Sequence, residues 1–137
     1  MDLYGVFKTS ASALAAQRER MNVVASNLAN AHTTRTDQGG PYKRRDVAFQ
    51  VSPVDKDPNT LNNGVKVSEI VEDQTPPMLV YDPTHPDANS AGYVAMPNVN
   101  VVEEMVNMMM ASRAYEANVS AFNISKGMYL KTLEIGK

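Results

Sequence analysis

His32 and His85 are the only histidines in the chain, and Asp82 and Asp87 flank the second of them. Imidazole with carboxylate is a donor set that suits divalent transition metals. The spacing argues against a site. No local cluster of ligands surrounds either histidine, and "HPD" at 85–87 sits in a proline-rich turn, so both read as loop histidines. Glu103 and Glu104 are a second candidate, for general acid–base work. Neighbouring helix residues point about 100° apart, so the two carboxylates do not face each other. A capping role for Glu103 and a favourable first-turn charge for Glu104 are sufficient reasons for both. "KRR" at Lys43–Arg45 is the one basic triplet, with Arg35 and Tyr42 nearby. Nucleic-acid binding needs a longer basic stripe with interleaved aromatics. Beside Asp46, in a chain of net charge -2, the triplet reads as a solvated or partner-pairing edge.

The remaining chemistry is excluded by residue type. The chain has no cysteine, which removes a disulfide framework, a thiolate nucleophile and thiolate metal sites. No glycine-rich phosphate loop and no G-x-S-x-G is present. "NVS" at Asn118 and "NIS" at Asn123 match glycosylation sequons but fall within a predicted helix. No cofactor is expected. At 137 residues the chain makes one or two small units, and no apolar run reaches the roughly 18–20 residues of a membrane span. "ALAA" at 13–16 imitates a signal-peptidase site. Asp2 replaces a basic start and Lys8, Thr9 and Ser10 interrupt the apolar stretch, so no cleaved signal is expected.

The elements that must carry these residues separate by punctuation. All eight prolines lie between Pro41 and Pro97, leaving both ends of the chain free to be long helices. Leu3, Phe7, Ser10, Leu14, Gln17, Met21, Val24 and Leu28 follow an alternating four–three spacing, the seam of a coiled coil. Asp2 is the expected N-cap, and a helix from Asp2 to Ala31 would be about 45 Å long. At the other end, Val101, Met105, Met108, Ser112, Tyr115, Val119, Phe122, Lys126, Tyr129 and Leu133 repeat that spacing. A second stripe runs beside it through Met110, Ala114, Ala117, Ala121, Ile124 and Met128. So wide an apolar surface can meet more than one neighbour. Asn100 and Glu103 mark the start of this helix as a capping box, and Gly136 marks its end.

Between the helices, "VAFQV" at 47–51, "GVKVSEIVED" at 64–73 and "MLVY" at 78–81 read as strands. Val65, Val67 and Val71 are expected on one face, with Glu69 as a polar exception. Asn63-Gly64 is expected to turn the chain. The fold class is therefore α+β, with long terminal helices pairing as a coiled-coil-like unit and a small irregular β-rich insert between them. The divisions are 1–33, an N-terminal axial helix, 34–97, the insert, and 98–137, a C-terminal axial helix packed with 1–33 as one domain. The insert is expected at one end of the helix pair. Two such seams around a marginal insert cannot bury all their apolar surface within one chain, so some of it must meet other subunits.

"MNVVASNLANAHT" at Met21–Thr33 and the stretch from "YDPTHPDA" at Tyr81 to "RAYEANVSAFN" ending at Asn123 resemble the bacterial flagellar rod and hook family. "GPYKRRDVAF" and "SEIVEDQTPP" match the middle region of its proximal rod members in style and position, so the resemblance spans essentially the whole chain. His32 stands where that family more often has asparagine. The resemblance implies a non-enzymatic structural subunit of the proximal rod, part of the basal-body drive shaft that transmits torque across the periplasm. It implies export by the flagellar type III apparatus without signal cleavage. The implied partners are other copies of the chain, other rod proteins, the protein at the membrane-ring/rod junction and, in transit, the export apparatus. Neither nucleic acid nor direct membrane insertion is implied. Terminal helices of this family lie in the inner tube, where subunits pack closely. Leu14, Met21, Val24, Asn27, Leu28, Asn30, Met105, Met108, Tyr115, Asn118, Val119, Phe122 and Asn123 are the expected subunit-packing residues. Ala25, Ala29 and Ala31 would permit close approach, and Ser26, Asn27 and Asn30 would supply hydrogen bonds where the helix runs out of its own. A cytoplasmic coiled-coil adaptor or export chaperone is the competing class, and it would have no use for the proline-rich insert.

Overall fold

A computed structural model describes residues 3–53 and 63–136, with side chains from residue 5 onward. Helix α1 spans Leu3–Ala29 and helix α2 spans Val101–Ile135, about 40 Å and 52 Å long at 1.5 Å per residue. Between them lie strands β1 (Arg45–Pro53), β2 (Asn63–Glu72), β3 (Met78–Tyr81) and β4 (Tyr93–Met96). They form two separate antiparallel pairs, β1 with β2 and β3 with β4. The expected N-cap Asp2 lies outside the described residues. Asn100 caps α2 by accepting from the N–H groups of Val102 and Glu103 at 3.1 and 3.3 Å. Gly136 closes the far end by donating to the Thr132 carbonyl at 3.3 Å.

The helices pack as an antiparallel pair. Near the start of α1, Phe7 lies against Phe122 and Tyr129 of α2, with ring centroids 5.1 and 6.4 Å apart. Near the end of α1, Asn27 reaches Glu104 in the first turn of α2. The face that α2 turns to α1 differs by one row from the predicted stripe. Met108, Tyr115 and Phe122 are half-buried as expected. The adjoining row is Glu104, Ala111, Asn118 and Ser125, while Met105 and Lys126 of the predicted row are exposed. Small and polar side chains at this row let the helices approach, a choice that apolar periodicity cannot register.

The insert departs from expectation in four places. The β1–β2 hairpin does not sit at one end of the helix pair but lies along α1. Val65 N–H donates to Ser12 Oγ at 3.1 Å, and Thr9 Oγ1 donates to the Asn63 carbonyl at 3.4 Å. Ser12, Ala15 and Ala16 are small enough for the strand to come this close. Asn63 and Gly64 do not form the turn. They are already strand residues opposite Pro53 and Ser52, and the connection falls in 54–62, outside the described residues. Third, a β-bulge changes the face of β2. Ala48 pairs with Glu69 and Phe49 with Val67, so Ser68 is the extra residue, its hydroxyl donating to the Ala48 carbonyl at 3.2 Å. Ile70, rather than Val71, therefore joins Val65 and Val67 on the face carrying Val47, Phe49 and Val51. Glu69 and Val71 go to the other face, and the polar exception disappears.

Strand β4 was not predicted. Its four residues pair with β3 in full register, and Val94 is buried. Residues 82–92 join the two strands through a chain of turns. Asp82 accepts from Thr84 N–H and Oγ1 at 3.1 and 2.7 Å, and Asn89 Oδ1 accepts from the N–H groups of Ala91 and Tyr93, both at 2.9 Å. Gly92 has φ +80, which favours glycine, and a Cβ there would lie 2.9 Å from the exposed Tyr81 ring and displace it.

Candidate assembly interface

Two of the most deeply buried described residues are polar. Asn27 and Glu104 are both 0 % exposed. Asn27 Nδ2 donates to Glu104 Oε2 and to the Arg45 carbonyl, each at 2.8 Å. Its Oδ1 accepts from Arg45 N–H at 2.9 Å and from Tyr42 OH at 3.0 Å. Both donors and both lone pairs of the amide are thus satisfied within the chain. The other carboxylate oxygen, Glu104 Oε1, accepts from Arg44 Nε at 2.9 Å and from Asn107 Nδ2 at 3.2 Å. Arg44 N–H donates to Asn98 Oδ1 at 2.9 Å, and Asn98 donates on to the Thr75 carbonyl at 3.1 Å. One network therefore ties the end of α1, the entry to β1, the segment after β2 and the start of α2. Beside it, Ala31, Tyr42 and Val99 form a small buried apolar cluster.

Electrostatics follows from this geometry. Partial burial works against the Arg44 charge. The hydrogen bond and charge of Glu104, with Asp46 at 3.3 Å, outweigh that penalty and raise the Arg44 pKa above its ordinary value. The basic triplet is thus divided. Lys43 is exposed, Arg44 turns inward, and Arg45 pairs with Glu72 at 3.2 Å and lies over the Tyr42 ring. The reading of the triplet as a solvated or partner-pairing edge does not anticipate that Arg44 pairs inward, and Glu104, which does stand in the first turn of α2, is buried there. The signal that was available is their combination, a cation at a strand start and a carboxylate at a helix start. Nothing in either local pattern says that the two meet.

Of the expected packing residues, Val24 and Asn27 are buried, and Leu14, Met21, Leu28, Asn30, Met108, Tyr115, Asn118, Val119 and Phe122 are half-buried. Met105 and Asn123 are exposed. Tyr115 lies by Leu14, Ala11 and Ala15 of α1. Asn30 donates to the Ser26 carbonyl at 2.9 Å and accepts from Thr33 Oγ1 at 3.1 Å, which finishes α1. Away from α1, helix α2 exposes large apolar side chains beside charged ones such as Arg113, Glu116 and Lys131. Met109, Met110, Ile124, Met128, Leu130 and Leu133 are each at least half exposed. Exposed apolar side chains in this number mark an interaction surface. The β3 strand is similar, with Met78, Leu79, Val80 and Tyr81 all exposed.

Among the described residues no group of histidine, aspartate and glutamate is placed to hold a metal. His85 Nδ1 accepts from Asp87 N–H at 3.1 Å inside its own turn, and His32 is exposed. No described helix is long and apolar enough to cross a membrane.

Comparison with known proteins decides what kind of assembly is at issue. Residues 7–35 match the family model "Flagella basal body rod protein", and residues 90–135 match "Flagellar basal body rod FlgEFG protein C-terminal". The chain is 50 % identical to flagellar basal-body rod protein FlgC of Escherichia coli over 137 residues, covering all of both chains. The chain belongs to the FlgC family of flagellar basal-body rod proteins. FlgC of Bacillus subtilis is likewise 50 % identical with full coverage of both chains, and that of Borreliella burgdorferi is 44 % identical with 98 % coverage of each. The two matched segments contain most of α1 and all of α2, the helices that form the antiparallel pair.

Proposed function

We propose that this chain is a structural subunit of the proximal rod of the bacterial flagellar basal body, with no catalytic role, and that it transmits torque by packing its helix pair into the rod wall. The observation that carries this reading is the outward face of α2. Met110, Ile124 and Met128 continue one apolar stripe on the side away from α1, with Ala117 and Ala121 exposed between them. Large side chains around small ones make a surface that a neighbouring helix can approach closely. Full-length identity to rod proteins favours this over a cytoplasmic adaptor.

The partners are further copies of the chain, other rod proteins and the protein at the ring–rod junction, and the route is type III export without cleavage. Asn118, on the row facing α1, and Asn123, exposed, sit at the edge of the packing surface and supply hydrogen bonds to neighbouring subunits. Asn27 cannot do so, since its amide is fully used inside the chain. Removing this chain's gene from its own cells tests the proposal. Purified basal bodies should lack the rod and regain it when the full chain is supplied. Complete rods without it would refute the reading. Deleting residues near the start should retain the chain in the cytoplasm, and normal delivery would count against the export route.

A further inference from the structure

We propose that the Asn27–Glu104 pair, closed by Arg44, sets the register of the helix pair, which the apolar seam leaves undetermined. The large seam residues of α1 are Phe7, Leu14, Met21 and Leu28, each seven positions from the next. Those of α2 are Met108, Tyr115, Phe122 and Tyr129, also seven apart. The observed contacts set Phe7 against Phe122 at 5.1 Å and Leu14 beside Tyr115. Sliding α2 by one heptad would set Phe7 against Tyr115 or Tyr129, and Leu14 against Met108 or Phe122. Every such pairing is again apolar against apolar, so side-chain size and hydrophobicity discriminate weakly between registers.

Asn27 and Glu104 break the degeneracy, because each occurs once in its seam. A slip in one direction sets Asn27 against Ala111 and strips Glu104 of its amide and of Arg44. A slip in the other carries Asn27 beyond α2 toward Pro97 and moves Glu104 to the level of Arg20, away from Arg44 on β1. Both take from the Asn27 amide its one acceptor on α2 and leave Glu104, wholly buried in the native pair, without Asn27 and Arg44. A single buried polar residue that fixes coiled-coil register at a cost in stability is a known physical device. Here the same pair also fixes the hairpin, since Asn27 holds both the N–H and the carbonyl of Arg45.

The absence of cysteine makes the test clean. Three double-cysteine variants of the full chain would be treated with a short thiol crosslinker, namely Leu14→Cys with Tyr115→Cys, with Met108→Cys and with Phe122→Cys. In the otherwise native chain the Tyr115 pair should crosslink at least about tenfold more than either slipped pair. With Asn27→Leu and Glu104→Leu added, circular dichroism should still show helix, and at least one slipped pair should rise to within about threefold of the native pair. With Glu104→Gln, which keeps size and hydrogen bonding, the tenfold preference should remain. A preference that survives Asn27→Leu/Glu104→Leu would overturn the proposal, because the seam alone would then define register. Loss of helix in either variant would also overturn it, since the pair would then be required for folding itself.

Discussion

Asn27 Nδ2 donates to Glu104 Oε2 at 2.8 Å across 77 positions of sequence, and both residues are buried. The end of α1, the entry to β1 and the start of α2 meet at this contact. Shortening Asn27 to alanine would leave Glu104 Oε2 and both backbone groups of Arg45 without the amide they bond, and Tyr42 OH with Ser26 Oγ alone at 3.4 Å. At about 1–3 kcal/mol for a buried unsatisfied group, with some relief from water entering the gap, Asn27→Ala should cost about 3 kcal/mol. Urea denaturation measures this directly. A loss under about 1 kcal/mol would mean the amide is dispensable.

Arg44 and Glu104 should behave non-additively. Arg44→Met alone strands a buried carboxylate and should cost about 3–5 kcal/mol, whereas Arg44→Met with Glu104→Leu should cost much less. The comparison is made by denaturation of both variants. A combined variant less stable than the single one would show that the pair stabilises outright.

Phe122 packs on Phe7 inside the chain, so its role is not confined to contacts between subunits. The ring is half-buried, and Phe122→Ala should cost about 2 kcal/mol, below the range for a fully buried ring. Export should continue, because a chain in transit does not use this packing, while rod formation should fail. Measuring secreted subunit and rods separately distinguishes the two, and normal rods would contradict the expectation.

Asp82 titrates below its ordinary value of 3.8, first because of the Thr84 hydroxyl and then the Thr84 N–H, and Asp73 does so through the same groups of Thr75. A carboxylate depressed on folding favours the folded state above its unfolded pKa and loses that contribution as pH falls through the folded value. The turn at 82–92 should therefore loosen below pH 3.8, first in a Thr84→Val variant, whose Asp82 should titrate higher. Carboxyl NMR titration reads both. An unchanged Asp82 pKa in the variant would remove the hydroxyl as the cause.

Much of this was legible in the sequence. Proline placement and four–three spacing gave both helices, and Asn100 gave the start of α2. What escaped were features created by long-range contact. Glu104 looks like a surface residue because carboxylates in first turns usually are, and only Asn27 and Arg44, distant in sequence, make its burial tolerable. The Ser68 bulge reverses a strand face without any glycine to announce it. The strand β4 is four residues long, too short for alternation to register, and depends on β3 and Gly92 for its definition.

The outward face of α2 is the central claim, and Met110→Glu with Ile124→Glu tests it most directly. These side chains are 58 % and 64 % exposed, so the isolated chain should lose no more than about 0.5 kcal/mol of stability. In cells the variant should be exported at the normal level, and electron microscopy of basal bodies should show no completed rods. Complete rods and normal swimming with both glutamates in place would contradict the assignment of this face to subunit packing.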